Sequence, residues 1–392
     1  MIPEDMHRFL QEWKVKEKTF KRDIENEILP YISNKNVVFL YGPRRSGKSV
    51  IAKRLLDKMP KSSTTRYVNL EDPGLMDTLN IKLMDEFASG LKAKDTIIFD
   101  EVQVIKGWEK WIRKAVDTRK CQIIVTGSSA ELLSGEFATA LGGRGIGFQV
   151  LPLSFKEFNR VTKKNFEEYL KIGGYPEVVL NPAKKEKLLE SYFELALIKD
   201  IISRHNVRDV NALRNLAFYL LTNSGKETSL KKIRMALGLS YDTIKQFIAY
   251  LEASFLIFQV PYFSYSLKES LIKQRKVYSW DLGMQQYASK SFTADFGRLA
   301  ETAIAIELQH RKYDLYYWKE KNEVDFVARK KAELTPINVC YSKTLPKREM
   351  QGLKEFNKKY KLKKSKILFL GKDTKKEDEI EIKNLEKWLT KN

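Results

Sequence analysis

Residues 42–49 run Gly42-Pro43-Arg44-Arg45-Ser46-Gly47-Lys48-Ser49, a G-x-x-x-x-G-K-S spacing whose residue types suit a bound triphosphate. The glycines let backbone N–H groups curl around phosphate oxygens, and the positive end of a following helix reinforces them. Lys48 would neutralise the β and γ oxygens, Ser49 would offer its hydroxyl to Mg²⁺, and Val50 would complete the binding segment. Downstream, Asp100-Glu101 closes the apolar run Thr96-Ile97-Ile98-Phe99. An acid at the end of a core strand near such a loop can hold Mg²⁺ through its water shell, the role expected of Asp100. Glu101 would accept a proton from the attacking water or orient it. ATP and Mg²⁺ are therefore the expected ligands, and hydrolysis is favoured over passive binding.

These side chains need a frame that brings distant segments together. The apolar run 37–41 delivers the chain into the glycine-rich turn, and the helix 48–58 leaves it. Further strands are expected at 65–70, 95–100, 121–127 and 146–152, with helices at 77–89, 107–118 and 129–139. Such alternation specifies an α/β fold with a parallel sheet covered on both faces. The strand at 65–70 falls between the phosphate loop and the Asp100 strand. That insertion resembles the additional-strand, catalytic-glutamate division of P-loop proteins, which includes the AAA-type ATPases. By that resemblance a polar residue after the strand 121–127 senses the γ-phosphate; Ser128 takes the role, with Ser129 as alternative and a simple helix cap as the structural reading. Arg144, in Leu141-Gly142-Gly143-Arg144-Gly145, is a candidate finger on the phosphates, in cis or from a neighbouring subunit, or else a plain turn arginine.

Three strings make the resemblance more specific: Leu151-Pro152-Leu153-Ser154-Phe155-Lys156-Glu157-Phe158, Gly173-Gly174-Tyr175-Pro176-Glu177-Val178 and Leu197-Ile198-Lys199-Asp200-Ile201-Ile202. In this order they resemble a prokaryotic AAA-type ATPase family whose C-terminal domain of unknown function has a restriction-endonuclease-like core. The resemblance runs from about residue 30 to the end. It implies an ATPase domain over 1–205, with the core at about 30–150 and a helical lid at 151–205.

Residues 206–285 change to short helices and a hairpin. Ser229–Leu237 forms a helix stopped at Gly238, and Ser240 caps a second whose Ile244, Phe247, Ile248 and Leu251 face inward. With strands at 255–263 and 276–280 this reads as a winged helix. Tyr241, Thr243, Lys245 and Gln246 would then face outward, toward DNA or toward another protein module.

Residues 286–392 follow a helix–strand–strand–strand–helix–strand order that resembles the restriction-endonuclease core. Active members of that fold hold Mg²⁺ between acids on adjacent strands and place a lysine two residues past the second acid. Here Glu301 and Asp325 supply acids, but Asn338 and Cys340 stand at the second acid and the lysine. The lobe is therefore expected to be catalytically silent, with residual metal binding through Glu323 left open.

Composition narrows the partners. The chain has 392 residues, 43% of them hydrophobic and only 11 prolines, which fits two or three folded domains and excludes a disordered protein. No apolar run approaches the roughly 20 residues of a membrane span, so no membrane partner is expected. Met1-Ile2-Pro3-Glu4-Asp5 lacks the basic-then-apolar order of a signal peptide. Cys121 and Cys340 both lie in apolar strand patterns and are expected as reduced thiols, in a cytoplasmic protein. The 71 lysines and arginines against 50 acids leave a net charge of +21, which points to a polyanion, most simply DNA or RNA.

Together these expectations describe an ATP-hydrolysing homo-oligomer, most simply a hexameric ring, that translocates or remodels duplex or branched DNA. A nucleotide-gated switch or scaffold for a protein partner is the alternative from another class. An ATP-regulated nuclease is disfavoured by Asn338 and Cys340.

Overall fold

The computed structural model describes residues 9–10, 19–32, 36–118, 121–128, 142–289, 295–373 and 379–391. The chain divides into two compact units, Met1–Leu151 and Pro152–Asn392.

In the first unit, strands β1 (Val37–Tyr41), β2 (Thr65–Asn69), β3 (Thr96–Asp100), β4 (Gln122–Gly127) and β5 (Gly145–Gln149) form one sheet in the order β2-β3-β4-β1-β5. Every pairing is parallel. Side chains alternate between two covered faces, as a buried parallel sheet requires. Val37, Phe39, Ile97, Phe99, Ile123 and Val125 meet the helices Ile81–Phe87 and Trp108–Asp117 on one face. Val38, Leu40, Tyr67, Ile98 and Ile124 meet Ile51, Ala52, Leu55 and Leu56 of the helix Lys48–Leu56 on the other. Because β4 lies between β1 and β3, the residue after β4 reaches the gap between the phosphate loop and the acids. The expected helix 129–139 and Ser129 lie outside the described residues.

The second unit opens with helices Phe155–Thr162, Phe166–Ile172, Pro176–Leu180 and Lys185–Leu195. Ser154 and Glu157 form a reciprocal capping box at the first of these. These helices, expected as a lid of the ATPase domain, belong to the compact unit Pro152–Asn392. Their anchor is Asp281, a buried carboxylate that accepts from Gly174 N at 2.6 Å and Met284 N at 2.9 Å. Gly173, at φ +86°, passes so close to Asp281 and Gly283 that a Cβ there would clash.

Next come the helices Val210–Thr222, Leu230–Leu237 and Tyr241–Ala253, capped by Asp209, Ser229 and Ser240. They sit with a small antiparallel sheet of β6 (Glu227–Thr228), β7 (Ile257–Val260) and β8 (Arg275–Ser279), in the order β6-β8-β7. The two expected strands are therefore present, the first shorter and the second shifted by one residue. A helix, Leu267–Ile272, stands between them in place of a tight hairpin turn.

The C-terminal sheet comprises β9 (Asp314–Lys319), β10 (Glu323–Lys330), β11 (Glu333–Cys340), β12 (Ser365–Phe369) and β13 (Ile380–Asn384), in sequential order. Its first pairings are antiparallel and its last two parallel. Helix Phe296–His310 precedes it, and helix Lys347–Tyr360 crosses between β11 and β12. Gly352 lets that helix rest directly on the Glu323 backbone, where a Cβ would overlap the carbonyl oxygen. The expected element order is thus present, with β13 and the helix Leu385–Thr390 added beyond it.

Candidate active site

The phosphate loop leaves the carboxyl end of β1. Gly42 sits at φ +148° against the Val150 carbonyl, leaving no room for a Cβ. Arg45 (φ +63°) and Gly47 (φ +98°) are both left-handed, which turns the loop back on itself. The helix Lys48–Leu56 begins at Gly47 with no capping side chain. Its first-turn N–H groups therefore point where an anion binds.

Lys48 is 3% exposed, and its ammonium donates to the carbonyls of Gly42 (3.0 Å) and Pro43 (2.9 Å). It lies 4.0 Å from Glu101 Oε1. Ser49 Oγ donates to Asp100 Oδ1 at 3.0 Å, although 51 residues separate them. Tyr67 and Thr126 also donate to the Asp100 carboxylate. Burial, then the neighbouring Glu101 charge, pushes Asp100 above the usual carboxylate range, against the pull of these three donors. Glu101 takes the left-handed conformation (φ +57°), and its N–H donates to Thr126 Oγ1 at 3.0 Å. Its Oε2 accepts from Gln103 Nε2 at 2.6 Å, while the same amide lies 3.5 Å from the buried Ser128 Oγ.

Lys48, Ser49, Asp100, Glu101 and Ser128 are thus brought together at one end of the sheet. Arg144 is not. Its carbonyl accepts from Val37 N, and Gly145 stands beside Val37 at the opposite end of β1 from the loop. Four strand steps separate those ends, about 13 Å. Its guanidinium instead meets Asp117 at 2.6 Å. Arg44 of the loop pairs with Glu71 at 3.2 Å.

The hard oxygen donors Ser49 and Asp100, already in contact, fit Mg²⁺. When bound, the ion would screen phosphate charge and polarise the terminal phosphoryl group. The protein's own contribution would be to set Lys48 and the loop N–H groups against the phosphates and to hold Glu101 beside them.

Two contributors were not foreseen. Buried Arg22 donates to the Ser46 carbonyl (3.0 Å) and the Leu151 carbonyl (2.8 Å), and so braces the phosphate loop from behind. Glu25, fully buried, accepts from Arg22 N and pairs with Arg54 at 2.9 Å and Lys58 at 3.5 Å. An Arg-x-x-Glu spacing in a lysine-rich leader looks like a solvated helix face, so no sequence signal marked it.

On the helix pair, Tyr241, Lys245 and Gln246 are exposed and Thr243 is half-buried. Arg234 of the preceding helix lays its guanidinium over the Tyr241 ring at 5.0 Å. Arg234 thus adds a cation beside Tyr241, and Lys231 and Lys232 of the same helix are exposed as well.

In the C-terminal lobe, antiparallel register sets Asp325 opposite Asn338, and Asp325 N donates to Asn338 Oδ1 at 3.1 Å. Asn338 Nδ2 is taken by the Glu349 carbonyl at 3.0 Å, and Cys340 is buried. Sequence expectation found no lysine to serve this site. Lys276 of β8 supplies an ammonium, 3.0 Å from Glu301 Oε1 and 2.8 Å from Glu323 Oε1.

An AAA domain model matches residues 34–159, and models of two domains of unknown function, DUF8612 and DUF4143, match 163–295 and 296–388. Uncharacterized protein MJ1544 of Methanocaldococcus jannaschii is 33% identical over 380 residues, covering 88% of this chain and 83% of that one. An uncharacterized Haemophilus influenzae protein is 30% identical over 394 residues, covering 93% and 98%. The chain belongs to this family, P-loop ATPases of the AAA type with C-terminal domains of unknown function. Among solved structures, the Walker-type ATPase PABY2304 of Pyrococcus abyssi aligns at 16% identity and a TM-score of 0.46, over 70% of this chain and 97% of that one. A point variant of Thermotoga maritima RuvB aligns at 16% identity and a TM-score of 0.33, over 66% and 93%. In this ATPase, among the described residues, no helix is long and apolar enough to cross a membrane.

Proposed function

We propose that this ATPase couples ATP hydrolysis to the movement or remodelling of DNA, as a closed cytoplasmic ring of identical subunits, most simply six. The observation that carries the ATPase half is the Ser49–Asp100 contact, with Glu101 and Ser128 at the same loop. A binding-only site has no use for an acid poised beyond the metal-binding pair. Arg144, remote from its own phosphate loop, would act on a neighbour's nucleotide. Residues 151–205 would serve as the lid.

For the DNA half, support comes from the +21 charge and the exposed cations Lys231, Lys232, Arg234 and Lys245. The helix pair with its three-stranded sheet resembles a winged helix, whose second helix would offer Tyr241, Thr243, Lys245 and Gln246. The test is the ATPase rate against duplex and branched DNA across a salt series, since phosphate contacts impose a steep salt dependence. Stimulation that fades with salt is expected; a rate indifferent to DNA at low salt would remove the DNA half and leave the ATPase.

One observation favours the alternative, a nucleotide-gated switch for a protein partner. The helix Leu267–Ile272 leaves Leu267 (73%), Leu271 (63%) and Ile272 (72%) exposed. A chain that stays monomeric with and without ATP, and ignores DNA, would select it.

A further inference from the structure

The C-terminal lobe has the element order of a metal-dependent nuclease core, yet with Lys276 seated against Glu301 and Glu323 the donor set has no place for a divalent ion. Asn338 replaces an acid, and both ends of its amide are in use: Oδ1 accepts from Asp325 N, and Nδ2 donates to the Glu349 carbonyl and lies 3.3 Å from Glu349 Oε2. Asp325 Oδ2 accepts from Val339 N at 2.8 Å. Among the described residues, no cluster of three histidine, cysteine or acidic side chains is placed to hold a metal.

What stands between the acids is an ammonium. Lys276 is 3% exposed and bridges Glu301 Oε1 and Glu323 Oε1 at 3.0 and 2.8 Å. Tyr278, two residues along the same strand, donates to that Glu301 oxygen at 2.6 Å. Lys319 Nζ lies 3.4 Å from the other Glu323 oxygen. A carboxylate oxygen engaged by a buried ammonium is not open to a second cation, and expelling the lysine would leave its charge buried and unpaired.

We infer that Lys276 is a built-in cation that fills the place of the metal in the nuclease-like lobe, so that this site fastens the small β6-β8-β7 sheet to the C-terminal sheet instead of cutting nucleic acid. The lysine is contributed by another sheet, not by the strand that carries Asn338 and Cys340. It balances the acids where a divalent ion would, and it does so permanently. Glu301 and Glu323, gathered about one nitrogen, form a closed ion-pair network.

The test uses Mn²⁺ alone with the nucleotide-free full chain, reading thermal midpoint and loss of the free-ion paramagnetic signal. Wild type should show no Mn²⁺ site that Asp325→Asn removes. Lys276→Met, which keeps the length of the stem but not the charge, should lower the midpoint and acquire Mn²⁺ binding at least tenfold tighter than wild type, lost again on adding Asp325→Asn. Wild-type Mn²⁺ binding abolished by Asp325→Asn would overturn the inference, as would a folded Lys276→Met that ignores Mn²⁺. If Lys276→Met does not fold, Lys276→Met/Glu301→Gln removes the ammonium together with one acid and should recover folded protein. Failure of that pair to recover it would overturn the counterion role.

Discussion

Gln103 Nε2 lies 2.6 Å from Glu101 Oε2 and 3.5 Å from Ser128 Oγ, so one amide spans the two residues expected to handle the attacking water. Glu101 is also 4.0 Å from Lys48. The carboxylate is thereby aimed across the phosphate loop and not toward solvent.

A general base contributes through its position, so loss of the base and loss of its support should differ in degree. Glu101→Gln should retain ATP binding and lose hydrolysis by about 10²-fold or more. Gln103→Ala should lower kcat by roughly tenfold with little change in KM, because Gln103 touches Glu101 and not the loop. Steady-state kinetics beside nucleotide titration separates the two; a Gln103→Ala enzyme with normal kcat would remove its positioning role.

Arg22 braces the phosphate loop from its far side. Its guanidinium's hydrogen bonds to the carbonyls of Ser46 and Leu151 are buried. Removing the donors would leave those acceptors unsatisfied, at a cost of about 1–3 kcal/mol for each carbonyl left without a partner. Arg22→Met should therefore lower the melting temperature and weaken ATP binding together. A variant that melts lower but binds ATP normally would assign Arg22 to stability alone.

These side chains differ in how far the sequence revealed them. Lys48, Ser49, Asp100 and Glu101 sit on strand ends whose apolar runs give both the element and its direction, so their meeting could be foreseen. In the C-terminal lobe β13 was not foreseen, whereas four strand segments, β9 to β12, were equally readable. Lys276 and Arg22 were not, because each acts on a segment far from its own and carries a residue type that fills this lysine-rich surface. Tertiary contact alone distinguishes them from solvated charge. The helix Leu267–Ile272 was not foreseen because its residues fall in the connection between the expected strands 255–263 and 276–280.

Arg144 gives a prediction about assembly. Its own phosphate loop lies at the other end of β1, and its local partner is Asp117. If it serves a neighbour, Arg144→Ala should lower kcat by about 10³-fold, the lower end of the arginine-finger range, with ATP binding intact. Wild-type activity per chain should also rise with protein concentration as subunits associate. Mixing Arg144→Ala with Lys48→Ala, which lacks nucleotide but keeps its arginine, should restore part of the rate. Two inactive variants that stay inactive when mixed would remove the trans role.

Asp281 sets a pH dependence that is independent of the nucleotide site. Burial raises its pKa above the usual carboxylate range, and the N–H donors of Gly174 and Met284 only partly offset this. The folded chain therefore takes up a proton here at higher pH than the unfolded chain does. By linkage, stability contributed through this group is greatest below the unfolded pKa, near 4, and is lost as pH rises through the folded value. Asp281→Asn removes the titration and also one acceptor oxygen, so it should melt lower at every pH, by about 1–3 kcal/mol at neutrality. The gap between wild type and variant should widen on acidification from pH 7 toward pH 4, where wild type gains from protonation and the variant does not. Thermal midpoints of both proteins across that range check the sign; a gap that narrows toward pH 4 would mean that the Gly174 and Met284 donors, and not burial, govern this carboxyl group.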